Sequence, residues 1–150
     1  MSEQYSSGNS IRYLHVSEQD IAGVSDSLER CAEAAGDITE EVYQRFFKVC
    51  GNAVDLMGHS DQYMKGRMLA QVVELLLTDE HMGEEGYLRW EVDNHVLAYG
   101  VDVGMYNAFL DALRDTVRDA VGDAWGPAHA KAWAGRVDSL LEEIYAEAQA

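Results

Sequence analysis

Proline and cysteine are scarce in this sequence, and each scarcity excludes a class of structure. The 150 residues include one proline, Pro127, and two cysteines, Cys31 and Cys50. The two cysteines lack metal-motif spacing and imply no disulfide framework. Because proline is rare while alanine, leucine, glutamate and aspartate are abundant, the composition predicts a mostly helical protein. No stretch alternates between apolar and polar residues with the period of two that is typical of strands.

Long apolar runs are also missing. The densest stretch, VVELLL, is far too short to cross a bilayer, so we expect no membrane association. The first residues, MSEQYSSGNS, lack the basic and apolar blocks of a secretory signal, which favours a cytoplasmic location. We interpret residues 1–16 as a flexible polar tail and residues 17–150 as one domain with a single core.

Basic residues are few. Lysine and arginine total 11 against 27 aspartates and glutamates, which gives a formal net charge of −16. Such a field repels phosphate backbones and anionic lipid head groups, so the composition argues against nucleic-acid and membrane-surface binding. Most of the carboxylates fall on predicted exposed helix faces and are explained as a solvated surface.

Apolar residues recur at helical spacings of three and four along most of the chain. Ile21, Val24, Leu28 and Cys31 form one such stripe, and another consists of Tyr106, Leu110, Leu113 and Val117. Glycines separate the helical segments, and Gly126-Pro127 opens the last one with proline at the first helical position. The pattern predicts six or seven helices of unequal length, whereas a plain four-helix bundle prefers fewer and more equal ones.

Three segments in this order carry a family resemblance. They are EEVYQRFFKVCGNAVDLM, NHVLAYGVDVGMY and AVGDAWGPAHAKAWAGRV. Together they resemble the globin family, specifically the single-domain bacterial haemoglobins, over about residues 17–148. The resemblance implies an all-α, globin-like fold of six to eight helices around a pocket that holds haem b (iron protoporphyrin IX).

By this resemblance, His95 is the proximal ligand of the haem iron, and neutral imidazole is the usual axial ligand in globins. Tyr43 falls at the distal position of the second helix, where its hydroxyl donates a hydrogen bond to a bound gas. The other pocket positions carried over from the family are Phe47, Met57, Lys65, Met68, Leu69, Val101 and Tyr106.

Two distal positions depart from the family pattern. Met57 stands where the family has a phenylalanine that stacks on the haem; methionine fills the space but loses the ring contact. Lys65 stands at the gate position, where glutamine or histidine is usual. Its ammonium either extends to the haem propionates or solvent, or a neutral amine binds the iron as a sixth ligand. A shift of register would place Met64 in the pocket instead.

The proximal side departs as well. Glu91 lies one turn before His95, where an apolar residue is expected under the haem. Tyr106 matches a family tyrosine that pairs with a glutamate of the last helix, but that position falls on Ala148, one residue from Glu147. The electron-releasing arrangement of peroxidase-like or dioxygenase members is therefore not carried over.

The resulting hypothesis is a haem protein, monomeric or homodimeric, that binds oxygen or another diatomic gas. NO dioxygenation would need an external reductase, because the sequence has no Gly-x-Gly-x-x-Gly fingerprint for a nucleotide cofactor. The alternative is a globin-fold sensor or protein-interaction module without haem, for which Met57, Lys65 and Glu91 argue. A third hypothesis is an unrelated acidic helical adaptor, which the uneven lengths of the predicted helices disfavour.

Overall fold

The computed structural model describes residues 2–57, 62–78 and 103–149, and it describes side chains within 18–54, 62–78 and 104–146. All the regular secondary structure of these residues is helical, without a strand, so the prediction of an all-α protein is confirmed. The helices are α1 (Ser2–Ala35), α2 (Thr39–Val49), α3 (Gly51–Met57), α4 (Gln62–Leu77), α5 (Val103–Val121) and α6 (Pro127–Gln149). A short 3-10 turn, Gly122–Ala124, joins α5 to α6.

Two glycines end helices in the way the sequence predicted. Gly36 follows α1 with a φ of 66°, and Gly122 follows α5 with a φ of 65°. This left-handed conformation strains residues that carry a Cβ, and it lets the chain turn away while the last carbonyls find donors. The Gly36 amide donates to the Ala32 carbonyl at 3.0 Å.

The start of α6 is fixed by a side chain from its own first turn. The Gly126 amide donates to Nδ1 of His129 at 3.0 Å, so this histidine takes the part that glutamate plays in a capping box. Pro127 occupies the first helical position, where an N–H would have no helical partner. Glycine, proline and histidine together therefore explain why the helix begins here.

The core lies where α1 crosses α5 and α6, with α2 closing one side against α5. Trp133 of α6 is fully buried in it. The other large, fully buried apolar side chains come from α1, α2, α4, α5 and α6, and they are Val24, Val42, Leu76, Leu110, Leu113, Val117 and Leu140. Close approach of α1 to α6 depends on Gly23, since a Cβ there would lie 2.5 Å from the Ala132 Cβ.

The first helix is longer than the sequence indicated. Ser17 and Asp20 have the Ser-x-x-acid spacing of a helix cap, which predicts a start near Ser17, but α1 begins at Ser2 and runs without a break to Ala35. No proline interrupts these residues, and a helix needs no cap at a position that earlier residues already continue. The division into a tail of residues 1–16 and a domain of residues 17–150 stays a prediction.

Across the described ranges, none of the helices combines the length and the apolar character that a bilayer crossing requires.

Candidate functional site

An aromatic cluster lies where α2, α4 and α5 meet. Tyr43, Phe46 and Phe47 come from α2, Phe109 comes from α5, and Lys65 comes from α4; we call these five residues the Tyr43 cluster. The Tyr43 ring meets the Phe109 ring nearly edge-on, with centroids 5.3 Å apart, and lies 5.7 Å from the Phe47 ring. Phe46 and Phe109 form a second edge-on pair at 5.2 Å. These geometries are the ones that aromatic quadrupoles favour.

The hydroxyl of Tyr43 is the polar group at the centre of this cluster. Only 2% of Tyr43 is exposed, and its hydroxyl donates to the backbone carbonyl of Lys65 at 3.4 Å. Bonds between a hydroxyl and an oxygen are usually about 2.7–2.8 Å long, so this one is weak. Burial raises the pKa of the Tyr43 phenol far above its usual value, so the group stays a donor at neutral pH.

Lys65 covers the outer side of the cluster. Its Nζ lies 5.6 Å from the centroid of the Tyr43 ring and 5.5 Å from that of Phe47. An ammonium at this range is attracted to the negative face of a ring. The side chain is half-buried, so its methylene stem packs inward while the charge stays near the surface.

The predicted distal residues on α4 are partly brought together. Lys65 reaches the rings, Leu69 is buried one turn later, and Met68 is half-buried beside it. Met64, the alternative pocket residue, is 52% exposed, whereas Lys65 is half-buried. Lys65 and Leu69 lie on the same, inward side of α4, because residues four apart share a helix face.

The remaining predicted site residues fall into two groups. Phe47 and Tyr106 are half-buried against the core, on α2 and α5. Met57 is the last residue of α3, and its side chain lies outside the described residues. His95 and Val101 also lie outside them, as does Glu91, so the predicted proximal side stays a prediction.

Sequence reasoning missed the part that Phe109 and Phe46 take in the cluster. Phe109 lies beside the predicted α5 stripe rather than in it, on a parallel row of buried residues that starts at Met105 and continues to Ala112. A row at spacings of three and four was the available signal. This row faces the Tyr43 cluster because α5 lies against α2, and the sequence alone does not predict that contact.

The described residues partly suit a haem. A haem pocket needs an apolar lining and a donor near the bound gas, and the Tyr43 cluster supplies a buried phenol with a weak internal bond among aromatic rings. The residue types therefore fit the distal half of such a site. Within the described residues, no group of three or more histidine, cysteine, aspartate or glutamate side chains is arranged to hold a metal ion directly.

No model of a known protein family and no curated protein matches the chain. The resemblance to globins accordingly rests on the residues quoted from the sequence.

Proposed function

We propose that this chain is a globin-like haem protein that binds oxygen or another diatomic gas. The observation that supports it best is the Tyr43 hydroxyl, which is buried among three phenylalanine rings and has a hydrogen bond of 3.4 Å that a better acceptor can replace. Burying a phenol costs free energy unless its hydroxyl finds a good partner. A bound gas with partial negative charge is such a partner.

In this proposal each residue has a separate task. A haem supplies, when bound, the iron at which the gas binds, and His95 is the residue proposed to hold that iron. Tyr43 donates a hydrogen bond to the gas. Phe47 and Leu69 keep water away from that hydrogen bond, which strengthens it because the surroundings are less polar.

Lys65 acts as a cover rather than as an iron ligand in this proposal. Its Nζ lies over two aromatic rings, at a range where an ammonium is attracted to the negative ring faces. Turnover of NO would be an extension of gas binding, with electrons from an external reductase.

The second candidate is a globin-fold sensor or interaction module without haem. One observation favours it: the Lys65 side chain already covers the Tyr43 and Phe47 rings, and its backbone already accepts from the Tyr43 hydroxyl. In that case the cluster is a closed part of the core, and binding would take place at another surface.

Titration with hemin separates the two candidates. We expect the purified protein to take up about one equivalent with a strong Soret band, and His95→Ala to lose the spectrum of a histidine-ligated ferrous haem. His81→Ala is the matched control, because it removes a histidine from the same part of the sequence. Failure of the wild-type protein to take up hemin, or equal damage from both substitutions, would contradict the haem proposal.

The role of Tyr43 is tested with the haem-loaded protein. Tyr43→Phe removes one oxygen atom and keeps the ring, so oxygen should dissociate roughly tenfold faster or more, as for loss of a strong hydrogen bond. Lys65→Met serves as the companion variant, since it removes the ammonium and keeps the hydroxyl. Unchanged oxygen dissociation in Tyr43→Phe would remove Tyr43 from the site.

A further inference from the structure

A buried arginine of α6 reaches across to the end of α4. Only 2% of Arg136 is exposed, although it sits in the middle of a helix among apolar residues. Its Nε donates to the Leu76 carbonyl at 2.8 Å, and its Nη2 donates to the Thr78 carbonyl at 2.7 Å. A longer contact of 3.4 Å joins Nη2 to the Leu75 carbonyl. One guanidinium thus donates to the backbone carbonyls of residues 75, 76 and 78.

These oxygens lie at the end of α4, where a helix leaves carbonyls without helical amide donors; the Leu75 carbonyl also accepts from the Thr78 amide at 3.4 Å. The last four carbonyls of an α-helix have no amide ahead of them, and they carry partial negative charge. The Thr78 hydroxyl donates to the Glu74 carbonyl at 2.8 Å, and Arg136 donates to carbonyls that follow it in the chain. The planar guanidinium suits this task because its donors point in several fixed directions, which a lysine ammonium cannot match.

A carboxylate on α1 accompanies the buried charge. Burial raises the pKa of Asp20, while the charges of Lys131 and Arg136 act in the opposite direction. A buried cation is tolerated only when hydrogen bonds and nearby opposite charge replace its water shell. Arg136 therefore joins α6 to the end of α4 close to an acidic group of α1.

Within the described parts of the chain, helix α4 has few other buried side chains. Among its residues only Leu69 and Leu76 are buried, and Leu76 is the residue whose carbonyl Arg136 binds. The same helix presents Lys65 to the rings of the Tyr43 cluster. Lys65 and Leu76 are separated by about 16 Å along the helix axis, and an α-helix is stiff over that distance. A fixed end at Leu76 consequently restricts where Lys65 and Leu69 can lie.

We propose that Arg136 is a positioning residue, which fixes α4 against the Tyr43 cluster by holding the far end of that helix. Its effect on the cluster is transmitted through α4, because its hydrogen bonds to the carbonyls of Leu75, Leu76 and Thr78 lie at the end of that helix, away from Lys65. The inference rests on the proposed function for what the cluster binds, but the mechanical role of Arg136 is measured without any ligand.

Hydrogen exchange followed by mass spectrometry tests this role on the full chain. Arg136→Met keeps the length of the side chain and removes its donors and charge. We expect amides throughout α4, including those at residues 66–70, to exchange at least about tenfold faster, as for loss of charged hydrogen bonds. Amides of α5 and of the first half of α6 should keep their protection.

Two variants accompany it. Arg136→Lys keeps the charge but offers one ammonium to carbonyls that point in different directions, so it should accelerate exchange in α4 by a smaller factor. If Arg136→Met does not fold, the exchange pattern of Arg136→Lys tests the role of Arg136 instead. Val117→Ala on α5 removes buried apolar surface, and it should accelerate exchange in all helices alike.

Three results would overturn the proposal: faster exchange confined to residues 75–78, which makes Arg136 a local cap; equal acceleration in every helix; or no change. Hemin added to the same samples separates this inference from the proposed function. If wild-type protein takes up no hemin, the haem proposal fails while the exchange pattern still decides the role of Arg136. If it does, Arg136→Met should shift the Soret band or the oxygen dissociation rate, and Arg136→Lys should restore part of the difference.

Discussion

The contact between α1 and α6 is built differently from the contact between α2 and α4. In the first, Gly23 lets the backbones approach, Trp133 donates to the Ser27 hydroxyl at 2.8 Å, and His129 donates to Asp26 at 2.7 Å. In the second, the Tyr43 hydroxyl makes a bond of 3.4 Å and Lys65 lies over two rings.

The surroundings differ in the same direction. Trp133 and Ser27 are fully buried, whereas Tyr63 and Met64 at the start of α4 are 75% and 52% exposed. Regions with short bonds and complete burial open last, and regions with long bonds and exposed apolar groups open first. The α1–α6 contact is therefore expected to open later than the α2–α4 contact.

The largest effect is expected from Trp133→Ala. It removes a fully buried indole from the α1–α6 contact and leaves a cavity, which should lower the free energy of unfolding by about 3–5 kcal/mol. Urea denaturation measures the change. Trp133→Phe is the control, because it keeps most of the volume and removes the N–H bonded to Ser27. A loss under about 1 kcal/mol in Trp133→Ala would show that the contact is looser than described.

A pair of glycine substitutions compares the two contacts directly. Gly23→Ala forces a methyl group against Ala132, so the helix-propensity gain is outweighed and the protein should lose about 1–2 kcal/mol. Gly66→Ala on α4 meets open space, so it should stabilise the protein by about 0.5–1 kcal/mol. Thermal unfolding of both variants gives the signs. Equal signs would mean that the two contacts do not differ in closeness.

The α2–α4 contact should weaken at alkaline pH. Burial raises the pKa of Tyr43, so the folded state holds this proton more tightly than the unfolded state. The resulting stability is complete below about pH 10 and is lost as pH rises further. Tyr43→Phe removes this dependence and leaves the other tyrosines as an internal control. Urea denaturation of both proteins at pH 8 and pH 11 should show the variant losing less stability, and parallel losses would exclude Tyr43 as the cause.

The α1–α6 contact should weaken at acidic pH, with the smallest effect of the four. Hydrogen bonds from His129 and then Arg30 lower the pKa of Asp26, so the unfolded state binds its proton more tightly. The contribution is present above about pH 4 and is lost as pH falls below it. Asp26 is substantially exposed, and solvent screening keeps the effect small.

Asp26→Asn tests this acid dependence. The thermal midpoint of the variant should lie below that of the wild-type protein at pH 7, and the two should converge at pH 3. Asp119→Asn is the matched control, since Arg45 and Arg118 lower the pKa of this carboxyl on α5, away from the contact. Its effect should be of similar sign, and a gap for Asp26→Asn that persists at pH 3 would point to packing rather than charge.

Much of the fold was predictable because its signals are local. The ends at Gly36 and Gly122 follow from a conformation that glycine adopts without strain, and the start at Pro127 follows from a missing N–H. The burial of Val24 and Cys31 follows from spacing along one helix. The start of α1 at Ser2 was missed, because the serine at position 17 that suggested a cap is equally compatible with a continuing helix.

The candidate site was predictable only in part. Tyr43 and Lys65 were expected near each other by family spacing, and the structure places the Lys65 ammonium over the Tyr43 ring. Phe109 was not expected, because it joins Tyr43 from a helix that is distant in sequence. The proposed ligand His95 lies outside the described residues, so that half of the site stays a prediction.

By itself, the sequence determined that this chain is helical, where most of its described helices end, and which side chains share a face, because each of these depends on a few neighbouring residues. Only the tertiary structure decided that Arg136 is buried at the end of α4, that His129 pairs with Asp26, and that Lys65 rather than Met64 turns inward. Those outcomes depend on how helices cross, and the crossing is fixed by contacts between residues far apart in the chain.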